Sequence, residues 1–164
     1  ILVSLINYYI ESGDNQDELF SLINVAKQNE PNNASLYYVE GNINAQLGNE
    51  EAAIAAWEKC SEVNPKYALG FYGEGVHFYD RAVDLQDAAA AELDDAKYMA
   101  LVAEFEEVLE KSIAPFEKAF EIAEEADVKM STAEYLRNAT FRLRAKDPKF
   151  QTAYEKYNAY VQGE

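Results

Sequence analysis

Pro31, Ala34, Tyr37, Tyr38, Glu40 and Gly41 return 34 residues later as Pro65, Ala68, Phe71, Tyr72, Glu74 and Gly75. No other feature restricts the fold so strongly. A fixed period near this length belongs to stacked helical hairpins, each leaving an apolar flank uncovered until its neighbour lies against it. The residue supply agrees. Hydrophobic residues make up 49% of the 164, including 12 Tyr and 8 Phe, while only 7 Gly and 4 Pro interrupt them. That balance favours helices over a many-turned sheet protein.

The best-defined hairpin lies between Asn33 and Pro65. Asn33 is placed to cap a helix, Tyr37 to Leu47 has helical spacing, and Gly48-Asn49 supplies the turn. Glu50 to Val63 forms the second helix, with Ala52, Ala53, Ala56, Trp57 and Cys60 as a mixed small-and-large stripe that lets the two helices approach closely. Pro65 ends the hairpin, since it cannot continue the hydrogen-bond ladder. An earlier copy places Leu2, Leu5 and Tyr9 on one face, turns at Gly13-Asp14, and continues through Leu19, Ile23 and Ala26 to Pro31. Its abrupt start implies a fragment or processed product, with further repeats expected upstream of Ile1.

The third copy begins at Ala68, Phe71, Gly75 and Phe78. Gly41 and Trp57 are 16 residues apart, whereas Gly75 and the corresponding aromatic, Phe116, are 41 apart, so about 25 residues have been inserted. Ala88–Ala91 and Asp95–Lys111 contain neither Gly nor Pro, which predicts two lengthened helices rather than a loop. The break falls near Asp87–Asp94, with Asp94 or Asp95 capping the second helix. Pro115 is expected to kink that helix, and Phe116, Ala119, Phe120 and Ile122 then resume repeat packing. A last hairpin covers about Lys129–Arg144 and Pro148–Val161. Leu136, Ala139, Thr140 and Leu143 face inward against Phe150, Ala153, Tyr157 and Tyr160, and a basic outer surface suits a terminal cap.

The run Tyr37-x-x-Glu40-Gly41-x-x-Asn44, followed by Ala53, Trp57 and Pro65, resembles the tetratricopeptide repeat (TPR) family. Glu40 and Asn44 depart from it, standing where the family prefers Leu and Tyr, and Glu74 repeats the first departure. The resemblance implies an all-α fold: an alpha-alpha superhelix, a right-handed solenoid with one extended helical hairpin. It covers residues 1–164 as a single helical domain, with hairpins at about 1–31, 32–66, 67–126 and 127–164. The elongated third hairpin also resembles a group of bacterial TPR proteins in which a protruding helical pair precedes a degenerate final repeat.

Chemistry is sparse. The only histidine, His77, has ordinary helix neighbours in Glu74, Asp80 and Arg81, so it reads as a packed or solvent-facing residue rather than a general base. Cys60 stands where the TPR family uses Ala and reads as a packing residue, not a nucleophile. Asp84, Asp87, Glu92, Asp94 and Asp95 lack the glycine and spacing of a calcium loop. Of the two glycosylation patterns, Asn33-Ala34-Ser35 is better explained as a cap, and Asn138-Ala139-Thr140 lies within a helix. No catalytic residue, cofactor or metal site is assigned.

The net charge of −16 is uneven: residues 1–128 hold 26 Asp/Glu against 7 Lys/Arg, while 129–164 hold 4 against 7. So acidic a body repels nucleic-acid phosphates and anionic lipid. No apolar run is long enough for membrane insertion. Compartment stays open between cytoplasm and a bacterial periplasm.

The resemblance to TPR proteins implies a non-enzymatic scaffold that binds a protein or peptide on its concave face. Carried onto this chain, the groove positions are Val3 and Asn7; Tyr38, Asn42 and Gln46; and Tyr72, Val76, Tyr79 and Asp80. Aromatic rings offer area at low entropy cost, and amides can bond an extended backbone. Tyr38 and Tyr72 have a second reading, as packing residues against a neighbouring helix or the long hairpin. Family members that clamp acidic chaperone tails use Lys and Arg here, whereas this chain has Val3, Leu69 and Gly73, so a neutral, cationic or aromatic-rich ligand fits better. The alternatives are a structural or self-association segment of a longer solenoid, and an enzyme built around His77.

Overall fold

The structure is a computed structural model that describes residues 15–164. The turn and helical face expected over Leu2–Asp14, with Val3 and Asn7, lie outside the described residues. Among those described, regular structure is entirely helical: α1 (Gln16–Asn29), α2 (Ala34–Gln46), α3 (Glu50–Val63), α4 (Ala68–Ala91), α5 (Asp95–Lys111), α6 (Ile113–Ile122), α7 (Ala126–Leu143) and α8 (Pro148–Gln162). These belong to two compact units, one ending at Gly70 and the other beginning at Phe71.

In the first unit, each end of α2 is fixed by its own residues. The Asn33 side chain accepts from the Ser35 backbone N–H at 3.2 Å, satisfying one of the donors that a helix start leaves open. At the other end Gly48 takes φ +77°, the left-handed conformation a glycine adopts without a Cβ penalty. The Gly48 N–H then bonds the Ala45 carbonyl at 3.0 Å and the Asn49 N–H bonds that of Asn44 at 2.8 Å, the paired closure of a Schellman turn. Asn44, standing where the TPR family prefers Tyr, is buried; its amide donates to the Glu40 carbonyl at 3.0 Å.

Leu19, Ile23, Ala26, Leu36 and Ile43 form the core between α1 and α2. Lys27 of α1 pairs with Glu40 of α2 at 2.7 Å. Its neighbour across the helix pair thus gives a reason for a glutamate where the family prefers Leu. Ala53, Ala56, Trp57 and Cys60 of α3 are buried, as the stripe predicts. Ala52 is exposed, since it lies one position off that face.

Gly41 explains the α2–α3 spacing. A Cβ there would lie 2.4 Å from Trp57 Nε1, so only glycine lets the buried indole lie flat on the α2 backbone. Gly75 repeats the arrangement in the second unit, where a Cβ would meet Phe116 at 2.6 Å. The tight contact at both glycines is therefore between the helices of one hairpin.

The second unit contains the lengthened hairpin. α4 stops at Ala91, and Asp94 caps α5 by accepting from the Lys97 N–H at 2.9 Å. The interruption expected at Pro115 falls one turn earlier, at Ser112, where α5 ends and α6 begins. Proline cannot donate to the Lys111 carbonyl four residues back, and just after Lys111 the next residue, Ser112, bonds Leu109 O through its N–H at 3.1 Å and its hydroxyl at 2.6 Å. α7 begins at Ala126, three residues before the expected start. Its Leu136, Ala139 and Leu143 pack with Phe116, Phe150 and Tyr157 in one core. No helix among the described residues is long and apolar enough to cross a membrane.

Candidate functional site

Tyr38, Asn42 and Gln46 follow one another at intervals of four residues, which stacks them along one face of α2. Tyr38 is half-buried and meets the edge of Tyr67 with centroids 6.3 Å apart. Gln46 is exposed at the end of the helix. Between them Asn42 accepts from Trp57 Nε1 at 3.2 Å. An indole N–H can only donate, so the Asn42 oxygen must face Trp57 and its amide N–H groups are directed elsewhere. The repeat glycine, its aromatic partner and this amide form one device: Gly41 admits the indole, and the indole sets the orientation of Asn42.

Cys60 is buried beneath the same hairpin, close enough to Gly70 that a Cβ there would lie 2.9 Å from its sulfur. Burial pushes its thiol up to about 11, which removes the thiolate that nucleophilic work requires.

In the second unit Tyr72, Val76 and Tyr79 pack against the core rather than standing clear of it. The Tyr72 ring meets Phe116 at 6.1 Å and Tyr135 at 6.0 Å, and its hydroxyl lies 2.9 Å from Ser131 Oγ. Tyr79 meets Tyr135 edge-on at 4.9 Å, while Tyr135 stacks on Phe116 at 4.9 Å. Tyr135 of α7, which the sequence did not single out, is the centre of this cluster. Its hydroxyl is raised above the usual phenol value, first by burial and then by Tyr72, Asp80 and Tyr79. Asp80 is exposed, but partial desolvation, reinforced by Asp84 and opposed by His77, raises its carboxyl above the ordinary range. His77 lies edge-on to Phe78 at 5.5 Å.

Two further sites of charge lie around α8. Glu110 receives Lys146 at 2.8 Å and Lys149 at 3.1 Å, and the hydrogen bonds from these two ammonium groups lower its carboxyl. Tyr157 donates to Glu117 at 3.3 Å, and burial together with that carboxylate raises its hydroxyl. An open hollow of about 340 Å³ lies between them, lined by Ile113, Ala114, Phe150 and Ala153 as well as Glu110, Glu117 and Lys149. Among the described residues no three His, Cys, Asp or Glu side chains are grouped to hold a metal ion.

Helical hairpins closed by a glycine–aromatic contact, repeated along the chain, define an all-α helical-repeat protein. The family profile of the tetratricopeptide repeat matches residues 34–67, the span of α2, α3 and the turn into α4. Residues 34–67 thus carry a tetratricopeptide repeat, a module whose general role is in protein-interaction scaffolds. No curated protein and no solved structure matches it.

Proposed function

We propose that the chain is a non-catalytic scaffold whose α2 face, formed by Tyr38, Asn42 and Gln46, binds an extended peptide or an extended segment of a protein. The observation that carries this reading is the Trp57–Asn42 hydrogen bond. It commits the Asn42 oxygen inward and offers the amide N–H groups to a peptide carbonyl, with less rotamer entropy to lose on binding. Tyr38 supplies ring area one turn before it and Gln46 a second amide one turn after, a spacing that suits a backbone lying along the helix. The acidity of the chain favours a neutral or cationic segment over an acidic one. Tyr72, Val76 and Tyr79 support the scaffold chiefly as packing. Asp80 is the polar member of that set with solvent access.

Asn42→Asp separates recognition from folding, because a carboxylate still accepts from Trp57 but has no N–H to give. Peptides selected on the wild-type chain from a random display library should bind Asn42→Asp and Gln46→Ala at least about tenfold more weakly, the value of one or two lost hydrogen bonds. Thermal unfolding should remain close to wild type. Unchanged affinity in both variants would place the binding surface elsewhere.

A further inference from the structure

The chain carries two exposed apolar surfaces of opposite charge that the peptide-binding reading does not use, and both lie in the second unit. The first is the end of the long hairpin. Leu93, between α4 and α5, is 97% exposed, with Met99 at 64% and Tyr98 at 44% beside it on α5. One exposed leucine would be ordinary, but three large apolar side chains left in water within seven residues form a patch. The turn that carries it is nonetheless fixed. Glu92 Oε1 accepts from both the Leu93 and Asp94 backbone N–H groups at 2.9 Å, and Asp94 caps α5. Asp87, Glu92, Asp94 and Asp95 surround it, with Lys97 the only cation between positions 88 and 100.

The second surface is the outer face of α7. Met130, Glu134, Arg137, Phe141 and Arg144 recur at intervals of three and four, opposite the buried Thr132, Leu136, Ala139 and Leu143. Phe141 is 44% exposed. Its ring has the Arg144 guanidinium at 3.5 Å and Tyr154 at 5.3 Å, so an apolar spot is held directly beneath a cation. Arg137 is nearby on the same face; its acids, Glu134 and Asp127, lie toward the start of α7, so the end that carries Phe141 is basic.

We infer that the apolar, acidic hairpin tip of one copy docks on the apolar, basic α7 face of a second copy. Charge complementarity selects this occupant: each surface carries what the other lacks, and the pairing of carboxylates with arginine gives it direction. Geometry makes it intermolecular. Arg142 of α7 donates to Gln86 of α4, so the end of α7 is already alongside that point of the hairpin. Leu93 lies seven residues further on, about 10 Å along a helix axis. The capped, hydrogen-bonded arm cannot fold back, and the α7 face points away from the side packed in the core. Because the joined patches differ, the contact is heterologous, and each copy that joins leaves one tip and one α7 face exposed for the next.

The test is sedimentation velocity on the full chain from low micromolar to several hundred micromolar. The wild type should increase in average mass with concentration, passing beyond two chains. Leu93→Asp/Met99→Asp and Phe141→Asp/Arg144→Glu should each stay at the mass of one chain with helix content like wild type; the first should melt like wild type, and the second only slightly lower, since it loses the surface contacts of Phe141 with Arg144 and Tyr154. An equimolar mixture of the two variants should form a species of two chains and no larger, since only one intact tip and one intact face can meet. A wild type that remains a single chain throughout would overturn the proposal. So would either variant assembling like wild type, or a mixture that stays monomeric. None of these measurements involves a peptide or the α2 face, so their outcome is separate from that of the peptide-binding reading.

Discussion

Gly41→Ala asks whether the repeat glycine is a packing requirement. On an exposed helix the change would be favourable by about 1 kcal/mol, since alanine is the better helix former. Here the added methyl would lie 2.4 Å from Trp57 Nε1 and 2.5 Å from Cδ1, more than 1 Å inside ordinary contact. Trp57 cannot retreat cheaply, because it is only 2% exposed and donates to Asn42. Overpacking a buried site costs about 1–3 kcal/mol, and shifting the indole off Asn42 strands a buried donor for about another 1–3 kcal/mol. Net of the propensity gain, a loss of about 1–5 kcal/mol is expected. Urea unfolding followed by the fluorescence of Trp57, the only tryptophan, reads this directly. Trp57→Phe should cost less in the Gly41→Ala background than alone, with a coupling of at least about 1 kcal/mol. A Gly41→Ala chain as stable as wild type would refute the close-approach argument.

Two further outcomes follow from burial. Asp80 has a folded-state carboxyl raised above its ordinary value, so the native chain holds that proton more tightly than the unfolded chain, and stability from this group falls as pH rises through the window between the two values. Asp80→Asn should therefore stabilise the chain at neutral pH, by under about 1 kcal/mol given its solvent access, and the advantage should fade as pH drops below the ordinary aspartate range; urea titrations at several pH values decide it, and destabilisation at neutral pH would contradict the sign. Cys60, buried and with its thiol pushed up to about 11, should resist an aromatic disulfide reagent at mildly alkaline pH and react only on opening of the first unit. Prompt labelling of the native chain would show that its burial is overstated.

The repeat was legible because its residues answer to backbone constraints that act locally. Asn33, Gly48 and Asp94 announce helix ends through the hydrogen bonds those ends require; the recurrence of Gly41 and Gly75 was plain, but that each admits a ring from the second helix of its own hairpin depends on how the two helices meet. The correspondence of Trp57 with Phe116 was legible from position, since the stripe Phe116, Ala119, Phe120 and Ile122 resumes the repeat pattern after the insertion. Less legible were features set by pairing between helices. Glu40 looked like a family departure until Lys27 was found across the α1–α2 contact. Tyr135 gave no periodic signal, because its place at the centre of the aromatic cluster depends on how α7 meets α4 and α6. The stripe Tyr38, Asn42, Gln46 could be aligned from sequence, but the direction of the Asn42 amide depends on the indole of another helix.

The insertion of about 25 residues shows why a repeat tolerates growth at one place and not another. Lengthening both arms of a hairpin by whole turns leaves its base unaltered, because each added residue bonds within its own helix and asks nothing of the neighbouring repeat. The contact at the base is the part that cannot move: a Cβ on Gly75 would meet Phe116 at 2.6 Å, nearly as close as one on Gly41 would meet Trp57, at 2.4 Å. What must adjust is the junction where the long arm rejoins the repeat. The helix is interrupted at Ser112, one turn before Pro115, whose missing N–H already weakens the ladder there. New surface is thereby added without disturbing the old packing: the base retains the family's glycine–aromatic closure, and the added turns carry Leu93, Tyr98 and Met99 into solvent. Selection could alter that arm, in length or in charge, at little risk to the fold beneath it.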